Sequence, residues 1–187
     1  MSRRAAIATA IAMLACGVSG DSATAATSRA AAGACANAGT VATNDAAKLR
    51  AIEAMRCIVN VQRAQFGLRA LRASTLLRSA AENHSREMVA GGFLSHTSAN
   101  GDTVRRRAAR TGYVRRSSTL VGETLTWGSG TFATPSELVA ALMASPPHRS
   151  TLLDRRFRDI GVGMALGAPM AGMTLSSATV TVDFGRR

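Results

Sequence analysis

From Asn44 onward, apolar residues Ile52, Met55, Val59 and Phe66 recur at helical spacing, with Ile58 widening the stripe, until Gly67 interrupts it. Asn44 or Asp45 can cap this segment, so the spacing predicts a core helix of about 20 residues. Asn60 and Arg63 lie three apart and share a face, which reads as a solvated polar edge. Leu68 and Leu71 lead to Ser74, the expected N-cap of a second helix with Leu77, Ala80, Ala81, His84 and Met88 on one stripe and Gly91-Gly92 at its end. On that stripe His84 reads as a packed, hydrogen-bonded residue and not as a ligand. A loop from Phe93 to Gly101 follows, and Asp102 is placed to cap a short basic helix over 103–111, ended by Gly112 before Tyr113. Its Arg105, Arg106, Arg107 and Arg110 form a solvated face from which one member could pin a loop by a bidentate carboxylate contact.

Between Thr119 and Trp127 the period falls to two, with Val121, Glu123, Leu125 and Trp127 on one face of a strand. A glutamate on an apolar face requires a partner, a sheet end or a cleft, because an unpaired buried carboxylate is costly. Thr134-Pro135-Ser136-Glu137 is a capping box with proline at the first helical position. It starts a helix through Leu138, Leu142 and Met143 that Pro146-Pro147 ends, and Glu137 is accounted for by capping. Two strands close the chain, Ile160 to Leu166 and Thr179 to Phe184, the second alternating Val180, Val182 and Phe184 with Thr179, Thr181 and Asp183. Helices first and strands late predict an α+β fold, an antiparallel sheet with helices packed on its faces.

At 187 residues, 47% of them hydrophobic, the chain suits one domain behind a leader. Residues 1–25 read as a signal peptide: basic Arg3 and Arg4, an apolar run from Ala5 to Ala15, and a small-residue site at Ala23-Thr24-Ala25. The run is too short to span a bilayer, so no transmembrane segment is expected. Secretion is preferred to lipoprotein anchoring through Cys16, whose preceding residues fit that pattern poorly, and the export route stays open. Residues 26–44 read as a flexible, exposed arm and 45–187 as the domain. The formal charge of +12 falls to +11 once Arg3, Arg4 and Asp21 leave with the leader. Such a charge attracts polyanions, but no RNP aromatics, zinc-finger spacing or helix-turn-helix accompanies it, so no specific nucleic-acid partner is expected. For an exported protein the polyanions at hand are cell-wall polymers and lipid headgroups. Cys35 and Cys57 remain after cleavage; in an oxidising compartment they are expected as a disulfide tying the arm to the first helix, with two free thiols the alternative.

Cys57-Ile58-Val59-Asn60 with Arg63, Gly67-Leu68 with Leu71, Phe93-Leu94-Ser95-His96, Arg107 before Gly112-Tyr113, and Gly122-Glu123 form an ordered set. It continues with Ser145-Pro146-Pro147-His148-Arg149 and Leu152-Leu153, then Ile160-Gly161-Val162-Gly163 and Phe184-Gly185. In this order the pieces resemble the bacterial branch of the CAP superfamily, also called SCP/TAPS, which includes cysteine-rich secretory proteins, antigen 5 and plant pathogenesis-related proteins. The resemblance covers residues 50–185. It implies a three-layer α-β-α sandwich, the CAP (SCP-like) fold with a central antiparallel sheet, and a cleft lined by two histidines and two acids. His96, Glu123 and His148 match three of these; the fourth falls in register at Ser145, so that acid is missing. Thr124 stands where the family usually has Asn, and Leu142 where a Trp is usual.

The convergence of His96, Glu123 and His148 on one cleft rests on that resemblance, since their separations form no local metal motif. Two imidazoles and a carboxylate would suffice for Zn2+ or another divalent cation with an open fourth position, the histidines being the expected metal residues. Glu123 could equally hold a histidine by a charge-assisted hydrogen bond in a structural cluster. No Ser or Cys is placed beside a His-Asp pair, so hydrolysis would need a metal-activated water with Glu123 as the catalytic base. The preferred reading is a non-enzymatic extracellular binding module with a lipid-like, sterol-like or cell-wall ligand. The alternatives are a metal-dependent hydrolase or protease and a polybasic envelope-adhesive protein.

Overall fold

The computed structural model describes residues 33–173 and 176–187; the expected signal peptide and the first part of the arm lie outside them. Helix α1 (Asp45–Gln65) starts where Asn44 accepts the backbone N–H of Ala47. A two-residue strand β1 (Arg72–Ala73) leads to α2 (Thr75–Gly91), capped by Ser74 and closed by Gly92 in the left-handed conformation. Next come α3 (Val104–Arg110), strand β2 (Leu120–Ser129), a 3₁₀ turn (Gly130–Ala133) and α4 (Pro135–Ala144), whose cap is the Thr134 hydroxyl. The chain ends with α5 (Pro146–Leu152), β3 (Asp159–Leu166) and β4 (Ser177–Arg186).

The strands form one sheet in the order β1-β3-β4-β2. The three long strands are antiparallel as expected, while β1 joins the far edge parallel to β3. Along β3 and β4 the two faces meet different helices. Ile160, Val162, Met164, Val180, Val182 and Phe184 enter the main core with Ile52, Met55, Ile58 and Val59 of α1 and Leu138, Leu142 and Met143 of α4. The opposite face is covered by α2, close enough that a Cβ on Gly161 or Gly163 would lie 2.2 Å from Arg78 N or 2.1 Å from Glu82 N. Only glycine permits this backbone-on-backbone approach. On that face the Ser85 hydroxyl donates to the Gly163 carbonyl at 3.2 Å and to Thr181 Oγ1 at 3.0 Å. Helices on both faces of the sheet give the three-layer sandwich.

Several expectations require correction. Arg63 is fully buried and not part of a solvated edge: its guanidinium donates to the carbonyls of Arg69, Leu152 and Asp154 at 3.0, 2.7 and 3.1 Å. Asn60 likewise turns inward, exchanging hydrogen bonds with the backbone of Leu71 at 3.1 and 2.8 Å. Phe66 lies outside the core, half exposed, with the Arg149 guanidinium 5.3 Å above its ring. Thr103 and not Asp102 occupies the cap position of α3, and Asp102 instead binds Arg110 at 2.7 Å. The double proline ends α4 but also begins α5, since proline is tolerated in the first turn of a helix. The described part of the arm is largely exposed but anchored: Cys35, Ala38 and Ala42 are buried, and the Ala38 carbonyl accepts Ser136 N–H at 2.9 Å. Cys35 and Cys57 form the disulfide, joining the arm to α1.

Candidate functional site

Glu123 lies on edge strand β2, directly opposite Asp183 of β4. Its side chain is 2% exposed, and its buried charge is met twice. His96 Nδ1 donates to Oε1 at 2.7 Å, and the Arg107 guanidinium from α3 donates to Oε2. The same guanidinium reaches the carbonyls of His96 at 3.1 Å and Asp102 at 2.8 Å, and Ser98 Oγ at 3.2 Å. One arginine therefore fixes the loop after α2 and the carboxylate that orients the histidine at its tip. The basic run of α3 does supply one loop-pinning member, and it is Arg107.

His96 is 59% exposed on its solvent side. The hydrogen bond to Glu123 raises its pKa above the ordinary imidazole value, against the opposing effects of partial burial and Arg107. His148, in the first turn of α5, is half-buried and has no hydrogen-bond partner among the described residues. Burial lowers its pKa, and the charge of His96 lowers it further. The structure thus joins His96 and Glu123 directly and leaves His148 as a separate neighbour. His84 lies outside the pair: buried on α2, it contacts Ser95 O at 2.8 Å, Glu87 at 3.2 Å and Ser98 at 3.3 Å.

Asp183 is the site residue that sequence reasoning missed. It has no exposed surface, and neither carboxyl oxygen meets a donor from another group. Burial, with the Glu123 charge adding to it and Arg107 opposing, drives its pKa well above the carboxylate range. Desolvation thus favours the protonated form of Asp183 beside the Glu123 carboxylate. Asp183 is thus a buried acid behind Glu123 on β4, while the register position of the family's second cleft acid is held by Ser145. Its only sequence signal was its alternation with Thr179 and Thr181; the cross-strand register that sets it behind Glu123 is not visible in one sequence.

These contacts limit what the site can hold. No group of three or more His, Cys, Asp or Glu side chains is placed to bind an ion among the described residues. Each oxygen of Glu123 is engaged once, Oε1 by His96 and Oε2 by Arg107, so the carboxylate orients the imidazole and pairs with the guanidinium. Farther along β2, a groove of about 430 Å³ opens between Trp127, Phe132, Leu138 and Ala141.

The sequence profile of the cysteine-rich secretory protein family matches residues 49–172. No curated protein matches the chain. Among solved structures, an extracellular protein containing an SCP domain from Bacillus anthracis str. Ames aligns with a TM-score of 0.61 at 19% identity, covering 78% of this chain and 45% of that one. An outer surface protein from Borrelia burgdorferi gives 0.60 at 19% identity, over 80% of this chain and 98% of that one. A cysteine-rich secretory protein from Staphylococcus aureus gives 0.56 at 16%, over 77% and 40%. This chain thus spans less than half of the Bacillus and Staphylococcus proteins, and at such identities the likeness is one of fold. With its profile matched over well more than half of the sequence, the chain belongs to the cysteine-rich secretory protein family.

Proposed function

We propose that this chain is an exported binding module that holds its ligand without turning it over. The observation carrying this reading is the double engagement of Glu123 by His96 and Arg107, which makes its carboxylate an orienting group and not a free catalytic base. No serine or cysteine stands beside the two histidines as an activated nucleophile among the described residues; Cys35 and Cys57 are consumed in the disulfide. Extracellular placement is supported by that disulfide and by the extracellular and outer-surface descriptions of the Bacillus and Borrelia proteins.

The groove beside the same edge strand supports one ligand class. Trp127, Phe132 and Leu138 offer apolar contact, which suits a lipid-like or sterol-like molecule. Trp127 is the single tryptophan of the chain, so its emission reports directly on occupancy. Titration with a sixteen-carbon fatty acid or with cholesterol should give a saturable blue shift. An emission spectrum unchanged by both would sink the groove as the ligand site.

A metal reading has one supporting feature. Glu123 accepting from Nδ1 orients His96 as a carboxylate orients a metal-bound histidine, with His148 nearby as a second imidazole. Zinc titration by calorimetry at neutral pH separates the readings. Saturable binding near one equivalent, lost in His96→Ala and in His148→Ala with folding kept, would replace the non-metal reading and reopen the hydrolase alternative. No heat from the wild type leaves the imidazoles as cleft-lining groups.

A further inference from the structure

One end of the sheet carries guanidinium groups that the cleft does not use. Arg72 on β1, Arg158 just before β3 and Arg186 on β4 stand side by side, because Arg72 pairs with Asp159 and Asp159 with Gly185. Backbone bonds continue the row: Arg72 N–H donates to Arg158 O at 2.9 Å, and Arg158 N–H to Gly185 O at 2.8 Å. Buried Arg63 brings two further loops to this end by binding the carbonyls of Arg69, Leu152 and Asp154, so that Arg69 and Arg155 join the row. The acids here are occupied, Asp154 by Arg156 and Asp159 by Arg72 and Tyr113. Arg69, Arg155 and Arg186 are exposed, and their side chains have no partner among the described residues.

We propose that this end of the sheet is a docking surface for a flexible polyol-phosphate polymer. Guanidinium matches phosphate oxygens in a two-pronged hydrogen bond, and an arginine array favours phosphate over a point-like counterion. The free groups are spread over three separate segments, so each contact is weak alone. Only a chain bearing many phosphates engages several at once. A nucleic acid gains much of its affinity for such surfaces by stacking bases on aromatic rings. Here Tyr113 and Phe157 are buried, with Arg187 lying 5.0 Å over the Tyr113 ring. A lipid surface would be held by inserted apolar side chains, but the nearest exposed large one in sequence, Phe66, is faced by Arg149. The surface shares no residue with the cleft, so its failure and that of the cleft reading are distinguishable.

The test uses the full chain and soluble poly(glycerol phosphate), with affinity measured across a salt series. The triple substitution Arg69→Gln, Arg155→Gln and Arg186→Gln should weaken binding about tenfold or more at 0.1 M salt. It should also flatten the slope of log affinity against log salt by about 2, since each lost phosphate contact on a flexible chain removes about 0.7. The control triple Arg50→Gln, Arg56→Gln and Arg86→Gln removes equal charge from α1 and α2 and should leave that slope unchanged. His96→Ala should bind as the wild type does. The proposal is overturned if the control triple loses as much as the first, if the wild type does not bind, or if His96→Ala abolishes binding. It is likewise overturned if single-stranded DNA of equal charge or phosphatidylglycerol vesicles bind more tightly than the polymer.

Discussion

An aspartate without exposed surface, set beside a glutamate, is costly when ionised, and desolvation favours the protonated form of Asp183. Its pKa is raised on folding, so the folded chain holds this proton more tightly than the unfolded one. The resulting stabilisation is complete below the unfolded value of about 4 and is lost as pH rises toward the folded value. Asp183→Asn keeps the shape and a donor toward Glu123 but cannot ionise. Relative to wild type, the variant should match it in urea denaturation at pH 3 and gain stability progressively as pH rises above about 4. Equal pH dependence in the two proteins would show that Asp183 is not protonated in the fold. The histidines give a second check at this scale. His96 should titrate above about 6.5 and His148 below it by NMR, and Glu123→Gln should bring His96 down. His96 then adds stability that is present below its unfolded value and lost as pH rises through its folded one. For His148 the sign is reversed, with stability complete above the unfolded value and lost as pH falls toward the folded one.

At the scale of elements, the disulfide does what no helix contact does: it holds the 33–44 segment to α1 across a separation of 22 residues. A loop of that length corresponds to about 3 kcal/mol of unfolded-state constraint in the chain-entropy picture. The double substitution Cys35→Ser and Cys57→Ser should therefore lower unfolding free energy by about that amount, measured by urea titration against the oxidised wild type. A change under about 1 kcal/mol would mean that the packing of Ala38 and Ala42 holds the arm unaided. Elements read correctly from the sequence are those whose signals are local. Asn44, Ser74 and Thr134 each cap the helix that follows, and Gly67 and Gly92 sit at helix ends, because capping and left-handed turns depend on a few adjacent residues. What escaped was set by partners far along the chain. Two-residue β1 has no periodicity to detect. Arg63 looks solvated until a loop 89 residues away supplies its acceptor. The Thr179, Thr181 and Asp183 face looks like a solvent face until α2 is laid over it, an approach that depends on Gly161 and Gly163. For the same reason, Glu123 was recognisable as anomalous and Arg107 as one of four candidates, whereas Asp183 was not recognisable at all.

For the molecule as a whole, charge is unevenly spread. A formal net charge of +12 in 187 residues means that folding brings like charges together, among them at the strand ends carrying Arg69, Arg72, Arg155, Arg158 and Arg186. At 0.01 M salt the screening length is about 30 Å, and at 0.1 M it is about 10 Å, so that self-repulsion is strongly felt only in the dilute buffer. Salt also weakens favourable pairs, but the exposed ones, such as Arg156 with Asp154, contribute only about 0–1 kcal/mol each. The Arg107–Glu123 pair is buried and little screened. Repulsion therefore dominates the balance, and Tm should rise by a few degrees between 0.01 and 0.3 M sodium chloride, about 2–4 °C for each kcal/mol relieved. The arginine-to-glutamine triple at positions 69, 155 and 186 should melt higher than wild type in the dilute buffer and show a smaller salt increment. A Tm that falls with salt in the wild type would mean that attractive pairs outweigh repulsion. The uncompensated guanidiniums would then not be the strained part of the surface. A salt-dependent rise abolished by the triple would trace the repulsion to the same strand ends that are offered to a phosphate polymer, where binding would relieve it.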